Sequence, residues 1–372
     1  MFERIADLAI RRSRLVLVVA IVAVALMGVL GAGAFGKLQG GGYDDPAAQS
    51  TRAQNVIDDK FGGETNLVLL VSAAAGRIDT AAAEQRGRAL VADLRKEQNL
   101  ENVVSYWDTA SPQLRSKDGR EAMVLAHVKG NDTERDDNAK SVIDAYTGPY
   151  GGGLTVQAGG TSAVTSELGT QSGEDLALAE TIAVPLTLVL LLLVFGSMVA
   201  ALLPLVIGLI AIAGTFAELF VLGSVTDVSV FAINLTTALG LGLGIDYALL
   251  MVSRFREQLA TGASVDDAVR RTVSTAGRTV AFSAATVMAA LAALMVFPQY
   301  FLRSFGYAGV GVVAIAAVST LFVMPALFVV LGHRVNSGRL PWVDRARSDT
   351  RAPLWGRLAG AVMRRPALTA LP

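Results

Sequence analysis

The residue best suited to chemistry in this chain is Asp246, which lies inside a long apolar segment. It precedes Arg254 by eight residues, which is about 12 Å along a helix that rises about 1.5 Å per residue. This depth is close to the middle of an apolar bilayer core about 30 Å thick. A charge there costs at least about 2.5 kcal/mol, so function is the default interpretation. Because apolar surroundings favour the neutral acid, Asp246 is expected to bind and release protons.

A tyrosine and three glycines adjoin this aspartate. The Tyr247 hydroxyl is placed to pass or stabilise a proton, although adjacent helical residues point about 100° apart and need not touch. Gly240, Gly242 and Gly244 have no side chains, so neighbouring helices can approach closely. Their spacing, GxGxG, differs from the dinucleotide-binding fingerprint, and no βαβ unit surrounds it. We interpret these glycines as helix-packing residues near the proton site.

The chain lacks the residues that most catalytic centres require. It has no cysteine, which excludes a thiol nucleophile, disulfide bonds and Cys-ligated metal sites. It has two histidines, His127 and His333, too few for a histidine-rich metal site. An intramembrane aspartyl protease needs a GxGD motif and a second membrane aspartate, whereas this motif reads GLGID and the other apolar runs contain no aspartate. We expect no enzyme, no metal and no cofactor.

Apolar residues are abundant and occur in six long runs. Hydrophobic residues make up 52% and charged residues 17% of the 372 residues, whereas about 25% of a soluble protein is charged. A run of about 20 apolar residues is long enough to cross a bilayer as a helix. The predicted spans are 15–36, 181–196, 199–223, 228–253, 279–297 and 305–332. Glu218, near the end of the third span, is interpreted as a solvated or vestibule-lining residue.

Basic residues cluster on one side of these spans. The clusters contain Arg4, Arg11, Arg12 and Arg14, then Arg254, Arg256, Arg270, Arg271 and Arg278, then Arg334, Arg339, Arg345 and Arg347. By the positive-inside rule this side faces the cytoplasm. Residues 1–14 then form a cytoplasmic N-terminus, the first span covers 15–36, residues 181–332 hold the other five spans, and 333–372 form a cytoplasmic tail.

The connection between the fourth and fifth spans is predicted to be an amphipathic helix at about residues 264–275. Ser264 is placed to cap this helix, and Asp267 favours its N-terminal end. Arg270 and Arg271 suit lipid headgroups. The helix is therefore interpreted either as docked on the membrane or as a solvated connector.

Residues 37–180 are expected to form a folded extracytoplasmic domain. They contain 14 basic and 22 acidic residues, a net charge of −8, whereas the rest of the chain has 18 basic and 10 acidic residues, a net charge of +8. The apolar pattern predicts strands at 67–72, 103–107, 122–128 and 154–158, with helices at 80–96 and 132–146. A polar helix at 162–180 then leads into the second span.

The order βαββαβ is that of a ferredoxin-like unit. The fold class predicted from the sequence is therefore an α-helical polytopic membrane protein with six transmembrane helices and an α+β, ferredoxin-like extracytoplasmic domain. Because the charges of the whole chain sum to zero, we expect no nucleic-acid partner.

The last residues of the chain resemble the first. Arg357–Leu368 aligns without gaps with Arg4–Leu15, with identity at five of twelve positions. Because this match follows a six-span unit, it predicts the start of a second copy, and duplicated halves are common among transporters. We expect the chain to be one half of a duplicated twelve-span protein.

Four segments near Asp246 resemble the MmpL group of the resistance–nodulation–division (RND) superfamily. They are Gly240–Tyr247 (GLGLGIDY), Ser253–Glu257 (SRFRE), Ala268–Val273 (AVRRTV) and Gly277–Ala284 (GRTVAFSA). Members of this group are proton-driven exporters of lipids across the inner membrane of mycobacteria and other actinobacteria. The resemblance covers essentially the whole chain, and it implies an outer porter domain between the first two spans.

The resemblance implies that Asp246 and Tyr247 belong to a proton relay and that Ser283 supplies a hydroxyl beside it. It also implies an inner-membrane location, a lipid or other hydrophobic substrate, and protons as the coupling ion. Family members carry a second Asp-Tyr pair in a second repeat, which this sequence lacks. Transport is therefore expected to need a second half or a second copy of the chain. Two alternatives stay open: a SecDF-like proton-driven accessory of protein export, and a sterol-sensing-like regulator that does not transport.

Overall fold

The fold combines a bundle of long helices with one small sheet. The computed structural model describes residues 1–338 except 75 and 131, together with residues 360 and 362. Apart from positions 360 and 362, the segment Arg357–Leu368, in which we predicted a second copy, lies outside the described residues, as does the tail from 339 onward.

The strands and the shorter helices that accompany them lie in the chain between the long first helix and the helices that follow residue 160. The helices are α1 (Phe2–Gly31), α2 (Gln49–Phe61), α3 (Ala81–Leu94), α4 (Tyr106–Thr109), α5 (Asp132–Tyr146), α6 (Thr161–Phe195), α7 (Met198–Gly223), α8 (Ala232–Ala260), α9 (Val265–Thr272), α10 (Arg278–Ala292) and α11 (Tyr300–Leu331). The strands are β1 (Leu67–Ala73), β2 (Leu100–Ser105), β3 (Glu121–Val128), β4 (Gly148–Gly151) and β5 (Leu154–Gly159).

Six helical segments in the described part of the chain are long and apolar enough to cross a membrane, which confirms the predicted number. They are Phe2–Gly31, Leu178–Phe195, Met198–Gly223, Ala232–Ala260, Val265–Val296 and Tyr300–Asn336. The first helix begins well before residue 15, with a kink at Arg12 (φ −134°, ψ 35°), and ends at Gly31 rather than at 36. A single π-helical turn, Val273–Gly277, joins α9 to α10.

The helix α6 joins the sheet to the bundle without a break. The polar helix predicted at 162–180 and the second predicted span are one helix of 35 residues. Gly196, in a left-handed conformation (φ 62°), ends it. The hydroxyl of Ser197 then accepts a hydrogen bond from the Ala200 N–H and caps α7. This buried hydroxyl also lies 2.7 Å from the carbonyl oxygen of Ser337, which ties the turn to the end of α11.

The centre of the bundle consists of α7, α8 and α11, and each has at least half of its most apolar stretch buried. The rings of Phe255 and Phe328 stack there with centroids 4.2 Å apart. In contrast, α6 and α10 lie at the periphery, with 11% of that stretch buried in each. The helix α1 is also peripheral, with 6% of that stretch buried, so the bundle is well packed in the middle and exposed along its outer helices.

The sheet domain, defined here as residues 49–160, contains an antiparallel sheet with strand order β2-β3-β1-β5-β4. Leu69 and Val71 of β1 are fully buried in one cluster with Leu90 of α3 and Val142 of α5. Three predicted strands and both predicted helices lie within about two residues of their observed bounds. The strand predicted at 103–107 is partly wrong, because the Ser105 hydroxyl accepts from the Asp108 N–H and starts α4.

A short linker after α1 connects the sheet domain to the bundle. The Gln39 side chain donates to Asp227 at 2.8 Å, just before α8. The Gly42 carbonyl accepts from the Phe301 N–H at 3.1 Å, at the start of α11. The Tyr43 ring lies 4.9 Å from the ring of Phe301. The linker at residues 38–43 therefore contacts the residue Asp227, just before α8, and the N-terminal end of α11.

Candidate functional site

Asp246 lies on a face of α8 that the described helices leave uncovered. Ala238, Gly242, Asp246 and Leu250 are all exposed, and their spacing of four residues places them along one stripe of the helix. Within the described part of the chain, the Asp246 carboxylate has no hydrogen bond or ion pair. The described helices of this chain therefore leave Asp246 exposed, whereas the sequence predicted that it is buried.

Tyr247 faces the opposite way, into the bundle. Its side chain is 5% exposed and belongs to the main buried cluster. Its hydroxyl is buried and has no hydrogen-bond partner among the described residues. A buried hydroxyl without a partner is costly, by about 1–3 kcal/mol, and can donate a hydrogen bond to a water molecule or accept one from it. Asp246 and Tyr247 are thus neighbours in sequence on two different faces of α8.

Ser283 lies on α10 and is partly exposed. Its depth can be inferred from the contact between Arg254 and Thr275, whose side chains are 3.3 Å apart. Asp246 and Ser283 each lie eight residues from that contact, so both are about 12 Å from it along their helices. No hydrogen bond joins Ser283 to Asp246 or Tyr247 in the part of the chain that is described. The predicted relay residues share a depth but are not directly connected.

The three glycines before Asp246 have different surroundings. A Cβ on Gly244 would lie 3.1 Å from the Cα of Gly208, so the backbones of α7 and α8 touch there. A Cβ on Gly240 would lie 3.0 Å from the side chain of Val312 on α11. A Cβ on Gly242 would meet no atom within 4 Å, because Gly242 shares the open stripe with Asp246.

Glu218 is a second acid within an apolar helix and is partly exposed; its interpretation as a solvated residue does not hold for Oε2, and the vestibule-lining alternative stays a prediction. Its carboxylate lies directly against Gly311 of α11, in space that a Cβ at Gly311 would occupy. The Oε2 atom is buried and without a hydrogen-bond partner among the described residues. The sequence signal was the single acid in the apolar run of α7, but its burial depends on a glycine in a distant helix. Among the described residues, no group of His, Cys, Asp and Glu is placed to hold a metal.

The basic helix α9 contacts α1 and α8, while Arg270 and Arg271 stay exposed, so its predicted arrangement, docked on the membrane or as a solvated connector, stays a prediction. Ser264 caps it by accepting from the Asp267 N–H at 3.2 Å. Arg270 donates a hydrogen bond to Asp7 of α1, and Arg271 donates to Gln258 of α8 at 3.3 Å. Both arginines therefore have protein partners at this end of the bundle.

Comparison with known proteins identifies the family. Residues 42–369 match the model of the MMPL family. A membrane protein of Streptomyces coelicolor is 39% identical over 339 residues, which is 90% of this chain and 47% of that protein. The trehalose monomycolate exporter MmpL3 of Mycolicibacterium smegmatis is 32% identical over 92% of this chain and 38% of the exporter.

The match to these relatives is partial in length. The mycolic acid-containing lipids exporter MmpL11 of Mycolicibacterium smegmatis is 30% identical over 90% of this chain and 36% of the exporter. The chain therefore spans less than half the length of these relatives. A crystal structure of a heavy metal efflux pump aligns with 75% of this chain and 37% of the pump, at a TM-score of 0.49 and 16% identity. The family match and the relatives show that this multi-pass membrane protein belongs to the MMPL family.

Proposed function

We propose that this chain is one half of an exporter in the bacterial inner membrane that uses a proton gradient to move a lipid or another hydrophobic substrate. The observation that carries the proposal is the uncovered Asp246 at mid-depth of an apolar helix in a member of the MMPL family. Relatives that include nearly the whole of this chain are exporters of trehalose monomycolate and of mycolic acid-containing lipids. A lipid is therefore the substrate that we propose for this chain as well.

In this proposal, Asp246, Tyr247 and Ser283 form the proton relay. Among the described residues, neither the inward Tyr247 hydroxyl nor the partly exposed Ser283 hydroxyl has a hydrogen-bond partner. A water or a small rotation of α8 or α10 would be needed to connect them.

The open stripe of α8 also explains why a second half would be required. Left uncovered, the stripe would place a carboxylate against lipid, which costs at least about 2.5 kcal/mol. Small residues such as Gly242 allow close approach of another membrane helix. The occupant proposed here is a second transporter half or another copy of the chain, which would enclose Asp246 and complete the relay.

The orientation proposed here places the N-terminus and the arginine-rich end of the bundle in the cytoplasm. The sheet domain is then extracytoplasmic and acts as the porter domain. The sheet without its short edge strand β4 has the order β2-β3-β1-β5. In this order α3 connects β1 to β2 and α5 leads from β3 towards β5, and each pair of strands is parallel with one strand between them. This arrangement supports a ferredoxin-like unit. The sheet domain and the substrate would then lie on the same side as the linker at residues 38–43.

The test is transport by purified protein in liposomes with an imposed pH gradient. The transporter that contains both halves should move a labelled lipid only when the gradient is present. The 372-residue chain alone, as a monomer, should not. Proton-coupled lipid movement by the monomer, or export by the complete protein that ignores the gradient, would contradict the proposal.

A further inference from the structure

A cavity of about 670 Å³ lies at the arginine-rich end of the bundle, between the end of α6 and the last turns of α8. The wall formed by α6 is apolar and consists of Val194 and Phe195. The other wall, formed by α8 and the residues after α11, includes Leu259 and the polar residues Arg256, His333 and Asn336. A cavity with one wall of each kind favours an amphiphilic ligand over a small ion or a purely apolar molecule.

Arg256 is held in place by the protein. Its Nε donates to the Asn336 side chain at 2.7 Å, and its Nη1 donates to the Phe195 carbonyl at 2.9 Å. Its guanidinium also lies 5.5 Å from the centre of the Phe195 ring. A fixed, planar guanidinium suits the oxygens of a phosphate group, and less conformational entropy is lost when the ligand binds.

The charge around this cavity is positive. Glu257 lines it as well, but its carboxylate is 2.6 Å from Arg254, which neutralises it. Arg256 and His333 both line the wall opposite α6, and Arg334 follows His333 in the chain. Basic pockets between helices at a membrane surface are typical sites for anionic lipid headgroups.

The apolar wall continues into the membrane-facing surface of α6. Val194 is 63% exposed and Leu193 54% exposed, on a peripheral helix. A ligand whose phosphate lies at Arg256 would thus have its apolar part along α6. Free phosphate would not use this wall, whereas the acyl chains of a phospholipid would.

We propose that this cavity binds an anionic phospholipid of the cytoplasmic leaflet, with the headgroup phosphate at Arg256 and His333 and the acyl chains against Val194 and Phe195. The leaflet follows from the orientation in the proposed function, but the binding itself requires no transport. The lipid is a resident ligand that fills the gap between α6 and α8, at the end of the bundle opposite to the linker at residues 38–43. It is distinct from the transported substrate.

The test is native mass spectrometry of the purified chain with phosphatidylglycerol, phosphatidylcholine or inorganic phosphate. Phosphatidylglycerol should remain bound at least tenfold more than phosphatidylcholine, and inorganic phosphate should not displace it. Arg256→Gln should reduce retention at least tenfold. The matched control is Arg278→Gln, since Arg278 is exposed at the same end of the bundle but does not line the cavity.

A second variant separates binding from folding, because Arg256 also holds the Phe195 carbonyl. Ala260→Trp narrows the cavity without removing any of these hydrogen bonds, and it should also reduce phosphatidylglycerol retention. Unchanged retention in both cavity variants would overturn the assignment. Equal retention of the two lipids, displacement by inorganic phosphate, or an equal loss in Arg278→Gln would overturn it as well. None of these outcomes depends on whether the complete protein transports a lipid.

Discussion

The acids of the sheet domain and the acids of the apolar helices differ in their partners. Asp79 lies 2.9 Å from both Arg77 and Arg115 in the sheet domain. Asp246 and Glu218 have no ion pair or hydrogen bond among the described residues. Asp79 of the sheet domain therefore has ion-pair partners although water already stabilises its charge. The two acids of the apolar helices have none, although a charge in a membrane is energetically costly. An unpaired acid in an apolar helix therefore needs an explanation that the paired acids of the sheet domain do not.

The two unpaired acids also differ from each other. Asp246 lies on the open stripe of α8, where a proton, water or another helix can reach it. Glu218 is packed against Gly311 inside the bundle, where its Oε2 is shielded from solvent. The first is available for exchange, and the second is enclosed by its neighbours. This difference can be tested by changing each acid separately.

The largest effect is expected from Asp246→Asn in the transporter that contains both halves. The amide has a similar volume but cannot titrate, so proton-coupled export should be abolished while membrane insertion is unchanged. Export of labelled lipid from liposomes measures the effect. The matched control, Glu218→Gln, should retain export. Normal export by Asp246→Asn would show that the relay assignment is wrong, and an equal loss in Glu218→Gln would remove the distinction between the two acids.

The packed and open sides of α8 can be compared with two glycine substitutions. Gly244→Leu forces a side chain onto the backbone of Gly208, and overpacking of this kind destabilises by about 1–3 kcal/mol. The Cβ of a leucine at Gly242 would meet no atom within 4 Å, so Gly242→Leu should not destabilise the chain and removes the helix-propensity cost of glycine, about 0.5–1 kcal/mol. Thermal unfolding in detergent measures both. Equal destabilisation by the two variants would mean that the stripe is already covered in the isolated chain.

Glu218→Leu should stabilise the chain rather than weaken it. It removes a buried oxygen that lacks a partner, and such an atom costs about 1–3 kcal/mol. Unfolding by heat or denaturant in detergent would detect the increase. A loss of stability would show that the carboxylate has a favourable role that its neighbours do not reveal. Leu219→Ala, in the adjacent buried position, should be destabilising and serves as the reference.

The smallest effect concerns a paired acid of the sheet domain. The hydrogen bond from Arg77 holds the pKa of Asp79 below its ordinary value of 3.8. Because the pKa is lower in the folded state, the pair contributes stability above pH 3.8, which is lost as the pH falls through the folded pKa. Asp79→Asn should therefore unfold at a slightly lower temperature at neutral pH and match the unchanged protein in acid. A constant difference at every pH would exclude this cause.

Much of the architecture could be predicted from the sequence. Runs of about 20 apolar residues determine spanning helices by length alone, and all six are present. The helix α5 begins and ends at the predicted residues. The strand β2 is displaced because Ser105 caps a helical turn. The helix α2 was missed because Gln49–Phe61 is largely polar and carries no apolar stripe to mark it.

The surroundings of the candidate site could not be predicted in the same way. Whether an acid in a helix is enclosed depends on residues far away in sequence, as with Glu218 and Gly311. The motif around Asp246 marks the residue but not the direction in which it faces. Tyr247 shows the same limit, because two adjacent motif residues have opposite surroundings.

The uninterrupted helix α6 has a mechanical consequence. With 35 residues it is about 52 Å long, so a tilt of about 10° at one end moves the other by about 9 Å. The helix α6 begins beside the sheet and lies at the edge of the bundle, where 11% of its apolar stretch is buried. It is therefore less restrained by packing than the central helices. Pro185 is the point at which this helix would bend. A small tilt of α6 within the bundle would therefore displace the start of this helix, beside the sheet, by several ångströms.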